Sequence, residues 1–301
     1  MKNALVIINP KAGKTRSKSM LFDIAEALCK ENYNVSVQVT LKKGHAIQIA
    51  QKAASKYDII IAVGGDGTLS EVTEGIMKSG KKIPIGYVPA GSTNDFSLSV
   101  GISSNVKQAV ADIIKGSDVE LDIGKFNERY FNYIASFGAF TAVSYKTPQS
   151  SKNALGHLAY IIEGLKDLAS ITPCHAKIEA GGKTYEGDYI FGAVGNSTSI
   201  GGMIKLKEEM VSLSDGDFEV ILIKNPQNAV DLSAILSGLT FSDFSDPIFE
   251  FFKAPHLKIT SNGTFDWTLD GEYEKGRKVV EISNVNKGYI LRKGNKKWKQ
   301  Q

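Results

Sequence analysis

Along the first 125 or so residues, short β-branched runs alternate with stretches whose apolar residues recur at helical spacing. That order predicts a parallel sheet covered by helices. Leu5 to Ile8 reads as a strand, Ser19 to Glu31 as a helix with Leu21, Phe22, Ala25 and Leu28 on its apolar face, and Val35 to Val39 as the next strand. His45 to Ser55 then reads as a helix, Ile59 to Val63 as a strand buried on both faces, Leu69 to Lys78 as a helix and Ile85 to Val88 as a strand. The expectation is a doubly wound sheet; no solenoid period is visible.

From about Asp122 the pattern changes to strands separated by glycine and asparagine turns: Arg129 to Ser136, His175 to Ala180, Lys183 to Val194, Phe218 to Ile223, His256 to Ser261 and Lys278 to Ile282. Helical spacing returns at Ala154 to Leu168 and at Ala229 to Leu239. The predicted fold class is therefore α/β: an N-terminal doubly wound parallel-sheet domain over 1–125 and a C-terminal β-sandwich domain over 126–286. The active site is expected in the interdomain cleft. Gly288 to Leu291, within 287–301, is a candidate to return to the first domain.

Composition narrows the class without choosing a function. At 301 residues, with 42% hydrophobic and 23% charged residues and 29 glycines, the chain has the make-up of a globular protein with many turns. Its longest apolar stretch, Tyr57 to Val63, is far short of a membrane span, and Met1 to Ile8 is too short for a signal peptide, so a cytoplasmic location is expected. A net charge of +4 with no basic stripe argues against nucleic acid. The tail residues Arg292, Lys293, Lys296, Lys297 and Lys299 form a basic cluster suited to an anionic leaflet, so peripheral attachment to the inner face of the membrane is the associated expectation. Cys29 and Cys174 show no metal or redox spacing.

The sharpest local signal is Gly64-Gly65-Asp66-Gly67-Thr68, placed after a buried strand and before a helix. Glycines there let backbone N–H groups reach phosphate oxygens, the helix N-terminus favours an anion, and Asp66 can serve a Mg2+-bound phosphate. A tight turn without a ligand is the competing reading. No GxxxxGK[ST] loop occurs.

This string resembles the signature shared by diacylglycerol kinases, sphingosine kinases, NAD kinases and phosphofructokinases. Asn9-Pro10-Lys11-Ala12-Gly13, Thr40 with Gly44-His45-Ala46, and Pro89-Ala90-Gly91-Ser92-Thr93-Asn94-Asp95-Phe96 are similar to segments of the bacterial diacylglycerol-kinase type of lipid kinase. The likeness continues through Leu121-Asp122-Ile123-Gly124, Asn153 to Tyr160, Asp215-Gly216 and Leu269-Asp270-Gly271-Glu272, and so covers essentially the whole chain. NAD kinases typically add a Thr-rich stretch and a second DG motif, neither of which is found. Phosphofructokinases need sugar-phosphate arginines, and here Arg16, Arg129, Arg277 and Arg292 are the full set.

The resemblance implies an ATP-dependent, Mg2+-dependent lipid kinase. ATP is assigned to Asn9, Pro10, Lys11, Ala12, Gly13, Thr40, the loop Gly64, Gly65, Asp66, Gly67, Thr68, Leu69 and Ser70, and to Ser92 and Thr93, with Arg16 or Lys14 at the outer phosphates. Asp66, Asp95 and Asp122 are expected at one sheet edge around Mg2+, directly or through water. Glu272 is the favoured general base with Asp270 orienting or binding metal, although either acid could take the proton and a plain hairpin turn is the bland reading. Ser212, Asp215 and Asp217 match a second, structural Mg2+ position in the family, where Asp217 stands in place of the apolar or aromatic residue that other members often carry and where a turn capped by Asp215 is the alternative.

A lipid substrate at the membrane surface, diacylglycerol among the candidates, follows from the family rather than from any motif. Phe241, Phe244, Phe249, Phe251 and Phe252 could form a lipid-facing lip or ordinary core. The other functional readings are a soluble NAD-kinase-like enzyme and a catalytically silent nucleotide-binding regulatory protein. No short motif names the acceptor lipid or fixes the oligomeric state, a homodimer included.

Overall fold

The computed structural model describes residues 1–12, 17–91, 94–138, 172–200 and 204–294. The expected helix at Ala154 to Leu168, together with Gly13, Lys14, Arg16, Ser92, Thr93, Lys296, Lys297 and Lys299, lies outside the described residues. The chain divides into two compact units, Met1–Asp122 with Lys287–Gln301, and Ile123–Asn286.

In the first unit the elements run β1 (Lys2–Ile8), α1 (Ser17–Lys30), β2 (Tyr33–Val39), α2 (His45–Ala53), β3 (Ile59–Gly64), α3 (Asp66–Ser79), β4 (Pro84–Pro89), α4 (Asp95–Ser99) and α5 (Val106–Lys115). β5 (Ser117–Phe126) leads out of the unit. The strands pair in parallel as β2, β1, β3, β4, with residues 290–292 of a late strand added beside β4. This is a doubly wound order in which the path reverses direction between β1 and β3. Every residue of β3 is buried, because helices cover both faces.

On one face Ala4, Val6, Ile8, Ile59, Ile61 and Val63 pack against Met20, Ile24 and Leu28 of α1 and Ala109, Val110 and Ile113 of α5. Phe22, expected on the inner face of α1, instead points to solvent at 71% exposure, since Met20, Ile24 and Leu28 define a stripe displaced from it. On the other face α2 and α3 lie against each other. Their approach depends on Gly75, where a Cβ would collide with the Ile47 carbonyl and come 2.8 Å from the Ala50 Cβ.

The second unit contains β6 (Arg129–Phe131), β7 (Ile134–Gly138), β8 (Cys174–Ala180), β9 (Lys183–Gly195), β10 (Ser199–Ile200), β11 (Ile204–Lys205), β12 (Phe218–Lys224), α6 (Ala229–Phe241), β13 (Phe249–Ala254), β14 (His256–Ser261), β15 (Trp267–Leu269), β16 (Glu272–Glu274) and most of β17 (Val279–Lys293). Among the described residues its strand pairs are antiparallel. The long β9 pairs first with β8, then runs between β7 and β12. Phe126, Phe137 and Trp267 centre the core, with the Trp267 ring 5.0 Å from Phe126 and 4.8 Å from Phe137.

Of the five phenylalanines that could form a lip or ordinary core, one is buried, three are half-buried and one is exposed. Phe249 is buried, Phe244 packs on both Phe249 and Phe251, and Phe252 stacks on Tyr185, while Phe241 is exposed. Cys29 and Cys174 are free thiols, the latter pushed up to about 11 by burial.

Candidate active site

The carboxyl ends of β1 and β3 flank the reversal of strand order, the place where open α/β sheets bind ligands. Two loops meet there. The first follows β1: the Asn9 amide donates to the Val63 carbonyl (3.0 Å), its side-chain oxygen accepts from the Lys11 amide (3.0 Å), and its side-chain nitrogen reaches Thr68 Oγ1 at 3.4 Å. Asn9 therefore ties the Asn9-Pro10-Lys11-Ala12 turn to the glycine loop. Thr40, at the end of β2, is held to the same edge by its amide on the Ile8 carbonyl (2.9 Å).

The second loop is the glycine string itself. Gly65 caps α3 in an extended conformation, and the Thr68 and Leu69 amides donate back to its carbonyl at 2.9 and 3.2 Å. The first turn of a helix has N–H groups without intrahelical acceptors, so the start of α3 is suited to an anion. Against this loop lies Gly91 from the segment after β4, with the Ala90 amide donating to the Gly64 carbonyl at 2.7 Å. A Cβ on Gly91 would sit 2.6 Å from the Gly65 Cα and 2.7 Å from Asn94 Oδ1. The two loops touch backbone to backbone: a side chain at Gly91 is excluded, and one at Gly65 would come a tight 3.3 Å from the Gly91 Cα.

Asp66 holds the arrangement from beneath. Its carboxylate accepts from the Asp95 amide at 2.9 Å, the Phe96 amide at 3.4 Å and the Tyr87 hydroxyl at 3.4 Å. Burial, and then the charge of Asp66, push the Tyr87 phenol well above its ordinary value, so it stays a protonated donor. Asn94 adopts φ +53 and clamps its own turn, accepting from the Gly91 amide (2.9 Å) and donating to the Gly91 carbonyl (3.0 Å). Asp66 and Asp95 are thus brought together.

Asp122 is not part of this group, contrary to the expectation from sequence. It is buried and accepts from the Lys287 amide at 2.7 Å, fixing that residue at φ +49. β17 pairs with β4 so that Ile290 is opposite Pro84, whereas Gly64 is opposite Pro89. Lys287 and Asp122 therefore lie beyond the amino end of β4, about 26 Å of strand from the glycine loop. Among the described residues no three His, Cys, Asp or Glu side chains group as a metal site.

Mg2+ binds through one or two carboxylates plus substrate phosphates. The hard oxygen donors of Asp95 and Asp66 fit that requirement. The Ser212 to Asp217 loop fits a metal less well. Asp215 Oδ1 accepts from the Asp217 amide (3.2 Å), and its Oδ2 meets the Lys253 ammonium at 3.3 Å. The Ser214 and Asp217 carbonyls accept from the Asn286 and Asn284 side chains at 3.3 and 3.1 Å. A lysine already supplies positive charge where the second Mg2+ was expected, and the turn capped by Asp215 is what the structure displays. Lys253 also pairs with buried Glu219 at 3.0 Å.

In the second unit Asp270 and Gly271, at φ +50 and +80, form a two-residue hairpin turn joining β15 and β16. The Asp270 carboxylate is buried and accepts from the amides of Asn132 (2.7 Å), Tyr133 (3.0 Å) and Ile134 (3.2 Å) and from the Asn132 side chain (3.3 Å). Those bonds also explain why the single strand expected over Arg129 to Ser136 is split into β6 and β7: the amides at the break point to Asp270. Glu272 opens β16 and is exposed.

The diacylglycerol kinase catalytic domain model matches residues 3–126, and the YegS C-terminal NAD kinase β-sandwich-like domain model matches residues 134–283. A diacylglycerol kinase of Bacillus subtilis is 33% identical over 91% of this chain and 90% of its own length. The chain belongs to the diacylglycerol kinase family. A diacylglycerol kinase of Staphylococcus aureus is 34% identical over 90% of this chain and 86% of that protein. The crystal structure of a diacylglycerol kinase from Bacillus anthracis shares the fold, at TM-score 0.77, 23% identity and coverage of 98% and 97% of the two chains. As a member of this family the chain is a kinase with an N-terminal parallel-sheet domain and a C-terminal β-rich domain.

Sequence reasoning missed Tyr87 as the buried donor under Asp66, and Asn94 as the residue that shapes its turn. Asn94 carried a signal, since Asn is among the few residues that enter the left-handed region readily. It also missed Glu71, which accepts from the Gly44 amide at 2.6 Å and the Ala46 amide at 3.1 Å.

Proposed function

We propose that this kinase transfers the γ-phosphate of ATP to the hydroxyl of a lipid such as diacylglycerol, giving a phospholipid such as phosphatidic acid. The observation that carries the reading is the contact of Gly65 with Gly91 at the carboxyl edge of the sheet. It leaves a side-chain-free backbone surface beside the N-terminus of α3, the surface a polyphosphate needs. The names of the relatives supply the lipid, and no feature of the chain chooses among lipid alcohols.

In this reading Asn9 to Gly13, Thr40, Gly64 to Ser70, Ser92 and Thr93 receive the nucleotide, with Arg16 at its outer phosphates. Asp95 would hold Mg2+, with Asp66 fixing the loop that carries it; the metal, when bound, neutralises phosphate charge. Glu272 is proposed to accept the proton of the lipid hydroxyl. Asp270, with its carboxylate saturated by backbone donors, is proposed to set the hairpin on which Glu272 stands. Action at a membrane surface by peripheral contact belongs to the same proposal, and among the described residues no helix is long and apolar enough to cross a membrane.

The test is a radiolabelled-ATP assay over a panel of lipid alcohols with Mg2+. Label in the lipid extract, lost in Asp66→Ala and Glu272→Ala, is the expected result. Labelling of soluble acceptors, NAD among them, with none in lipid would overturn it.

A further inference from the structure

α2 begins without a capping side chain of its own: its N-cap residue is Gly44, at φ +78. The first N–H groups of a helix need acceptors from elsewhere. Here they come from α3, where Glu71 spans the gap, Oε1 accepting from the Gly44 amide at 2.6 Å and Oε2 from the Ala46 amide at 3.1 Å. The loop between Thr40 and α2 is braced again by the Leu41 amide on His45 Nδ1 (3.1 Å) and the His45 amide on the Lys42 carbonyl (3.2 Å). One turn further along α3, on the same face as Glu71, is Gly75, the residue whose missing Cβ lets α2 approach. α3 thus carries the glycine loop at its start and grips the Thr40 loop five residues into the helix.

We propose that Glu71 is a positioning residue for the nucleotide. It locks the Thr40 to Ala46 loop to the helix that bears Gly64 to Thr68, so that two separate segments present one preformed surface. The inference rests on the reading of this edge as an ATP site. It has a chemical corollary: a carboxylate already fills the anion position at the start of α2, so this helix terminus offers nothing to phosphate.

The experiment measures ATP affinity by calorimetry without lipid, and KM for ATP and kcat with it, for the wild type and for Glu71→Ala, Glu71→Gln and Asn105→Ala. The last removes the cap of α5, where Asn105 Oδ1 accepts from the Gln108 amide at 3.2 Å, and serves as a destabilised control away from the loop. Glu71→Ala is expected to weaken ATP binding and raise its KM about tenfold with kcat within about twofold, as loss of charge-assisted hydrogen bonds would do. Glu71→Gln, which keeps one acceptor and turns an NH2 toward the other amide, should fall between. Unchanged affinity in both Glu71 variants overturns the proposal while leaving the kinase reading intact. So does an equal rise in KM for Asn105→Ala at matched melting temperature, because Glu71 would then be acting through stability alone. A wild type that binds no ATP overturns the nucleotide site itself.

Discussion

Replacing Asp270 by Asn would keep the shape of the side chain but turn an N–H toward one of the three backbone amides it now accepts from. A buried charge-assisted acceptor lost in this way costs about 2–4 kcal/mol, so Asp270→Asn is expected to lower the melting temperature by several degrees. An unchanged melting curve would contradict the structural role assigned to Asp270 over a proton-transfer role. Glu219 yields a second prediction at this scale. Burial raises its carboxyl from 4.5 to about 7, opposed by Lys253. A group raised on folding contributes stability that is full below its unfolded value and lost as pH rises through the folded one, here between about pH 4.5 and 7, a cost of order 3 kcal/mol. The wild type should melt lower at pH 8 than at pH 6, and Glu219→Gln should flatten that difference; an unaltered pH slope would count against it. Neither role was legible beforehand, since the sequence displayed an Asp-Gly turn and an ordinary strand residue. The partners of Asp270 lie more than 130 positions away along the chain.

At the scale of elements, the loops after β3 and β4 act as a pair. Gly91→Ala should force Gly65 and Asn94 apart and reduce ATP affinity at least about tenfold, with a smaller effect on melting than Asp270→Asn, as expected of a change confined to a loop. Equal ATP affinity in the variant would show that the close approach is dispensable. The strands and helices of the first unit could be read from periodicity because each buries a regular stripe. Phe22 misled that reading: spacing gives the period of a helix but not the phase that tertiary packing selects. α5 and β13 escaped it, β13 because its phenylalanines were weighed as a lip or as core without being assigned to a strand. β17 was read as two strands since Lys287, held at positive φ by Asp122, interrupts its pattern without ending it. The basic tail also changes character. Arg292 is paired with Asp118 at 2.6 and 2.8 Å, and Lys293 donates to the Val100 carbonyl at 2.7 Å, so both are structural before they are available to any leaflet.

For the molecule as a whole, the α/β class and the family were written in four short segments that the fold gathers at one sheet edge: after β1, after β2, after β3 and after β4. What could not be read was which carboxylates share that edge, because Asp66, Asp95 and Asp122 look alike in sequence and only the strand register separates the third from the other two. At the expected second Mg2+ position the same kind of information was missing, since Lys253 comes from a distant strand to meet Asp215. The central claim is phosphoryl transfer to a lipid hydroxyl assisted by Glu272. Its most direct measurement is the rate at which label from γ-labelled ATP enters phosphatidic acid in diacylglycerol micelles, wild type against Glu272→Ala. The account predicts transfer by the wild type and a loss of about 100-fold or more in kcat for the variant, with ATP affinity retained. Transfer undiminished in Glu272→Ala, or none by the wild type while it binds ATP, would contradict it.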